Sequence, residues 1–202
     1  MPARVIVLAG PSGAGKSRLA DRLGLPVLRL DDFYKSASDD GLPVIDSGAN
    51  AGLVDWDHPD SWLLDEALDA IRALCREGRA RVPVYDIARD GRCGEQLLDL
   101  AGNDRFVAEG IFAQEVVPAC EAEDLLEAAY CVTHHPLVTF WRRLTRDLRE
   151  RRKPPLVLLR RGWSLTRAQR DVVRHAVALG CRPVRPHEAY AEILQRQPTR
   201  HG

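Results

Sequence analysis

The octapeptide "GPSGAGKS", Gly10 to Ser17, meets the spacing G-x-x-x-x-G-K-[ST] at every specified position. Glycines so spaced let consecutive backbone N–H groups turn inward toward an anion, and a helix starting near Lys16 adds the partial positive charge of its N-terminus. Gly10, Ser12, Gly13, Ala14 and Gly15 are therefore the expected cradle for phosphate oxygens. Lys16 is the side chain expected to reach the β- and γ-phosphates, and Ser17 offers a hydroxyl to Mg²⁺. The pattern implies a bound nucleoside triphosphate, read as ATP. The same cradle serves switches, transporters, motors and phosphotransferases, so it does not name a reaction. The chain holds neither an N-K-x-D nor an L-S-G-G-Q segment, and phosphoryl transfer to a small molecule fits the remainder better.

Such transfer needs a carboxylate near the acceptor oxygen and oxygen ligands for Mg²⁺. "LRLDDFYKS" (28–36) ends an apolar run with Asp31 and Asp32. Either aspartate meets the need, and the local sequence fits a turn closing a strand equally well. "RFVAEG" (105–110) sets Glu109 at the end of another apolar run. A strand-end glutamate is costly to bury without a partner, which favours a place beside the metal. "LVTFWRRLTRDLRERRKPP" (137–155) reads as a helix with Leu137, Phe140, Leu144 and Leu148 on one stripe and Arg142, Arg146, Arg149 and Lys153 on another face. That basic face is either solvated or turned toward phosphate. His134 and His135 read as a strand-end turn rather than a metal pair.

The elements that must hold these residues follow from periodicity. Apolar runs of strand length fall at 4–10, 25–30, 105–110 and 128–134, and "SWLLDEALDAIRALCREG" (61–78) has a helical stripe of Leu64, Leu68, Ile71 and Cys75. Continuous apolar strands alternating with amphipathic helices imply a parallel sheet covered on both faces, a doubly wound α/β fold. Residues 36–60 and 152–163, rich in Gly, Asp, Pro or Arg, read as excursions from it, where ligand loops are usually found.

Taken in order, "GPSGAGKS", "DDFY", "DWDHPDSW", "PVYDIARDGR", "VAEGIF" and "RRLTRDLRER" resemble the motifs of the uridine kinase family, related to phosphoribulokinase and bacterial pantothenate kinase. The resemblance covers residue 4 to about residue 153. It implies a three-layer P-loop NTPase fold with a mainly parallel sheet of about five strands and an Arg-rich lid at about 137–163. It also implies ATP- and Mg²⁺-dependent phosphorylation of the 5′-hydroxyl of a nucleoside. By the same resemblance Asp31 is the catalytic carboxylate, close also to Mg²⁺, and Glu109 supports the metal. Tyr34 and Tyr85 line the nucleoside pocket, Asp57 binds the ribose hydroxyls, and Arg92 completes the substrate motif. Arg143, Arg146 and Arg151 match the lid arginines that act with Lys16 on the transferring group. Two positions depart from the pattern, Ile87 where an aromatic stacks on the base and Asp90 where a histidine contacts the pyrimidine. They leave open a non-nucleoside alcohol or a sugar phosphate as acceptor. A nucleotide-binding regulator without kinase activity is the alternative of another class.

The bulk numbers exclude several partners. With 202 residues, 45% of them apolar, the chain suits one domain, 1–202. Twenty-nine basic residues balance 29 acidic ones, so no field steers the molecule toward nucleic acid or a membrane. A small-molecule substrate is expected; self-association into a homo-oligomer is left open. Five scattered cysteines without a ligand spacing read as reduced thiols of a cytoplasmic protein. "MPARVIVLAG" reads as a first strand rather than a signal peptide, and no apolar run reaches the roughly 18 residues that span a bilayer.

Overall fold

In the computed structural model, which describes residues 2–47, 51–86, 89, 91–133 and 170–196, the apolar run ahead of the glycine loop is strand β1 (Arg4–Ala9). Five of its six residues are buried. Burial on both faces follows from its place in the sheet. The order is β2 (Val27–Arg29), β5 (Arg105–Glu109), β1, β6 (Leu126–Val132), β7 (Arg182–Val184), and every neighbouring pair is parallel. Strand side chains alternate between faces, so β1 feeds two cores. Val5, Val7 and Ala9 pack with α2 (Leu64–Glu77), α3 (Val117–Ala122) and α4 (residues 170–178). Ile6 and Leu8 pack with α1 (Lys16–Leu23) and α5 (Pro186–Gln195) on the other face. Each large side chain so buried contributes about 1.5–3 kcal/mol.

The chain leaves β1 for the edge strand β2, returns to β5 beside β1, and then crosses to β6 on the opposite side. Its direction of winding thus reverses at β1, and the crevice beyond the strand ends at such a reversal is where open α/β sheets bind ligands. Register brings the ends together: Glu109 of β5 lies opposite Leu8 of β1 on one side and Arg29 of β2 on the other. The glycine loop, the turn after β2 and Glu109 therefore share one edge of the sheet.

The four expected strands are present, but two features differ from the sequence reading. β7 is a three-residue strand with a proline in it, too short to leave an apolar signal. Strands β3 (Arg79–Asp86) and β4 (Gly91–Asp99) form an antiparallel hairpin outside the main sheet. β3 begins with legible alternation, Ala80 and Val82 buried between exposed Arg79 and Arg81, whereas most of β4 is exposed and has no apolar face to detect. The helix expected over 61–78 is a 3-10 turn, Pro59–Ser61, followed by α2, which ends at Gly78 in the left-handed region. Leu64, expected on its stripe, is exposed; burial begins at Ala67. His134, His135 and the Arg-rich segment 137–163 lie outside the described residues. Cys75, Cys120, Cys131 and Cys181 are buried free thiols and Cys93 is an exposed one. No described helix is long and apolar enough to cross a membrane.

Candidate active site

The glycine loop connects β1 to α1. Gly10 has a φ of 128°, and a Cβ there would stand 2.4 Å from the carbonyl oxygen of Val132 in β6. Only glycine fits so close to that backbone. Gly13 and Ala14 follow, and Gly15 caps α1 without a side-chain acceptor, so the polarity of the first helical N–H groups remains available to an anion. Ser12 lies in the same loop, within "GPSGAGKS". Lys16 is buried, and its Nζ donates to the carbonyl of Gly10 at 2.8 Å and to that of Pro11 at 3.5 Å. The ammonium is thereby held over the loop.

One residue on, the Ser17 hydroxyl donates to Oε1 of Glu109 at 2.9 Å. Burial pushes the Glu109 carboxyl above its ordinary range, against the opposing effects of the Lys16 charge and the Ser17 hydrogen bond. A hydroxyl and a buried carboxylate at the mouth of a phosphate loop are hard oxygen donors of the kind Mg²⁺ takes, one or two from protein and the rest from phosphate and water. The donor set therefore fits that ion. The burial has a cost with a defined pH dependence. A carboxyl whose folded pKa is raised contributes stability that is fully present below its ordinary value of 4.5 and is lost as pH rises through the folded value. Glu109→Gln is therefore expected to melt above the wild type at neutral pH in the absence of nucleotide, with the gap closing below about pH 4.5, and to bind Mg²⁺-nucleotide more weakly. Thermal melts at a series of pH values check this; a variant that melts lower at neutral pH contradicts it.

The two aspartates after β2 separate in space. Both lie in the 3-10 turn Leu30–Phe33. Asp31 is exposed at the sheet edge, and its Oδ1 accepts the N–H of Ile111 at 2.8 Å. Asp32 is half-buried; burial raises its carboxyl, while the Arg29 charge and a hydrogen bond from the Tyr85 backbone N–H lower it. Asp32 ties the turn to β3, and Asp31 stays exposed.

The segment "DWDHPDSW" lies along this turn. Leu63 N–H donates to Phe33 at 3.0 Å, Lys35 N–H to Ser61 at 2.9 Å, and the Trp62 indole to the Leu30 carbonyl at 2.7 Å. Tyr34 donates its hydroxyl to the Trp56 carbonyl at 3.2 Å, and the rings of Trp56, Tyr85 and Phe112 stand 5.9–6.0 Å from its own. Burial and then the charges of Asp31 and Asp57 raise the Tyr34 hydroxyl's pKa. Asp57 itself is exposed, and His58 caps the 3-10 turn through Nδ1, which accepts from Asp60 N–H at 3.2 Å. Arg92 pairs with Glu66 at 2.9 Å and donates from Nε to the Tyr34 carbonyl at 3.3 Å, which ties the hairpin to α2 and to the tyrosine backbone.

Trp56, Trp62 and Phe112 were not separated by sequence reasoning, although "DWDHPDSW" and "VAEGIF" contain them. Their aromatic character beside the acidic positions was the available signal. Ile87, Asp90, Arg143, Arg146 and Arg151 lie outside the described residues. A groove of about 660 Å³ between α2 and the hairpin is lined by Phe33, Ala70, Pro83 and Arg92 among others but by neither Asp31 nor the glycine loop.

A phosphate loop on the central strand of a five-stranded parallel sheet, with carboxylates at the end of β5 and just beyond that of β2, defines a P-loop fold. The model of the phosphoribulokinase / uridine kinase family matches residues 5–154, and the chain belongs to that family. It is 27% identical over 155 residues to a uridine kinase of Lactobacillus johnsonii, a match that covers 73% of this chain and 69% of that protein. It is 29% identical over 160 residues to an inorganic pyrophosphatase of Arabidopsis thaliana, covering 75% of this chain but 22% of that longer protein. Its fold is similar to that of a protein from Silicibacter sp. solved as a candidate fructose transport system kinase, with a TM-score of 0.57, 15% identity, and coverage of 92% of this chain and 88% of that one. At that identity the likeness bears on fold alone.

Proposed function

We propose that this protein transfers the γ-phosphoryl group of ATP, with Mg²⁺, to the 5′-hydroxyl of a nucleoside. The observation that supports this best is the convergence on one sheet edge of the Ser17–Glu109 pair and Asp31, joined through the short stretch Glu109 to Ile111. Lys16 and the loop amides hold the β- and γ-phosphates, and Ser17 and Glu109 hold Mg²⁺, which when bound neutralises charge on those phosphates. Asp31 takes the proton of the acceptor hydroxyl as its oxygen bonds to the γ-phosphorus, the bond to the β–γ bridging oxygen breaks, and ADP leaves. Tyr34 and Tyr85 flank the acceptor, Asp57 accepts from its vicinal hydroxyls, and Arg92 supports the pocket through the Tyr34 backbone. Arg143, Arg146 and Arg151 stabilise charge on the transferring group. Reduced thiols and ATP use accord with a cytoplasmic enzyme.

A coupled assay for ADP across nucleosides, other alcohols and sugar phosphates tests the reading. ADP formed in proportion to added uridine or cytidine is the expected result. Turnover confined to a non-nucleoside alcohol or a sugar phosphate would move the acceptor and keep the chemistry. ADP formation indifferent to every acceptor would make the protein a slow hydrolase or a nucleotide-binding regulator.

A further inference from the structure

The three residues Glu109, Gly110 and Ile111, at the end of β5, touch both halves of the site. Glu109 accepts the Ser17 hydroxyl on the phosphate side, and the N–H of Ile111 donates to Oδ1 of Asp31 on the acceptor side, at 2.8 Å. Between them Gly110 packs against the aspartate. A Cβ on Gly110 would stand 2.8 Å from Asp31 Oδ1, 2.9 Å from the Leu30 Cβ and 3.3 Å from the Asp31 nitrogen. Space, not torsion, requires the glycine here.

From this contact we infer that Gly110 is a positioning residue that fixes which oxygen of Asp31 reacts. The inference rests on the reading of Asp31 as the base. Oδ1 is held by the Ile111 N–H and packed against the glycine, so Oδ2 is the oxygen that takes the acceptor's proton. The frame behind this arrangement is stiff: all five residues of β5 are buried, and the strand is paired on both sides. One short backbone stretch therefore sets the separation between the metal-side carboxylate and the base. Ordinary contact begins at 3.4 Å, so a methyl group at Gly110 forces the carboxylate back by several tenths of an ångström. Displacements approaching 1 Å in a reacting pair can lower rates by about 10²-fold.

The test compares wild type, Gly110→Ala, Asp31→Glu, Asp31→Asn and the double variant Gly110→Ala/Asp31→Asn, with MgATP and uridine or the alcohol the wild type uses in its place. Gly110→Ala is expected to lower kcat by about 10-fold to 10²-fold, with ATP affinity and acceptor KM close to those of the wild type. Asp31→Glu keeps the acid but carries it one methylene beyond the Ile111 N–H, and is expected to lose a similar factor. In the Asp31→Asn background Gly110→Ala is expected to add no more than about threefold, because the group it displaces is already inert. A Gly110→Ala loss that repeats in full in that background, or that comes with weakened ATP binding, would show general damage and overturn the inference. So would wild-type turnover by Asp31→Glu, which decides the matter even where Gly110→Ala fails to fold. Near-normal turnover by Asp31→Asn would remove the base and this inference together, whereas loss in Asp31→Asn without loss in Gly110→Ala would remove the inference alone.

Discussion

Asp31→Asn lowers kcat by about 10²–10⁴-fold, the usual worth of a positioned general base, and leaves ATP binding near the wild-type value. That is the expected result, and the geometry explains both parts. The amide retains an oxygen for the Ile111 N–H, so the turn after β2 keeps its anchor while the proton acceptor is lost. The phosphate loop is built by β1 and α1, neither of which depends on this side chain. Asp32→Asn is the internal control: its amide oxygen can still accept the Tyr85 N–H, and turnover should change little. Steady-state kinetics together with equilibrium nucleotide binding measure all of this. An Asp31→Asn enzyme that phosphorylates its acceptor at close to the normal rate would sink the assignment of the base.

Gly10→Ala is expected to cost about 2–6 kcal/mol of stability, from roughly 1–3 for a φ of 128° that residues with a Cβ rarely adopt and about 1–3 for overpacking. Against a total of about 5–15 kcal/mol for a domain, that is a large share. Nucleotide affinity should fall as well, because a Cβ 2.4 Å from the Val132 carbonyl can be relieved only by moving the loop off the end of β6. Gly24→Ala provides the comparison: Gly24 also has a positive φ, 65°, but its missing Cβ would meet nothing within 4 Å. It should cost about 1 kcal/mol, the torsional part only. Denaturant melts of the two variants separate torsion from overlap. Equal losses would mean that the close approach of loop and strand carries no energetic weight.

How much of this was legible in the sequence depended on how local each feature is. The phosphate loop was readable because strand, loop and helix are contiguous and each residue type has its own mechanical reason. Glu109 was readable because an acid at the end of a buried strand demands a partner. Asp31 and Asp32 could not be told apart from neighbouring residues, since what separates them is the Ile111 N–H and the Tyr85 N–H, both far along the chain. Gly110 gave no sign of its contact with Asp31, because a close approach between two strand ends has no periodicity. The hairpin was missed for a different reason: β4 lies mostly in solvent, so selection for an apolar face is absent. Arg92 matched a substrate motif by spacing, yet its guanidinium meets Glu66 and the Tyr34 backbone.

The order of the sheet has an evolutionary consequence. β1 is paired along five positions with β5 and along five with β6, whereas β2, from which the Asp31 turn departs, is held along three at the edge. On the proposed function, the nucleotide side thus sits on the most extensively paired strand, and the acceptor side hangs from a strand held along three positions at the edge and from a hairpin outside the main sheet. Drift in residues 30–63 and 79–99 can rewrite the shape and polarity of the acceptor pocket without disturbing the register that holds Lys16, Ser17 and Glu109. On that reading the reaction and the acceptor preference rest on separately anchored parts of the chain.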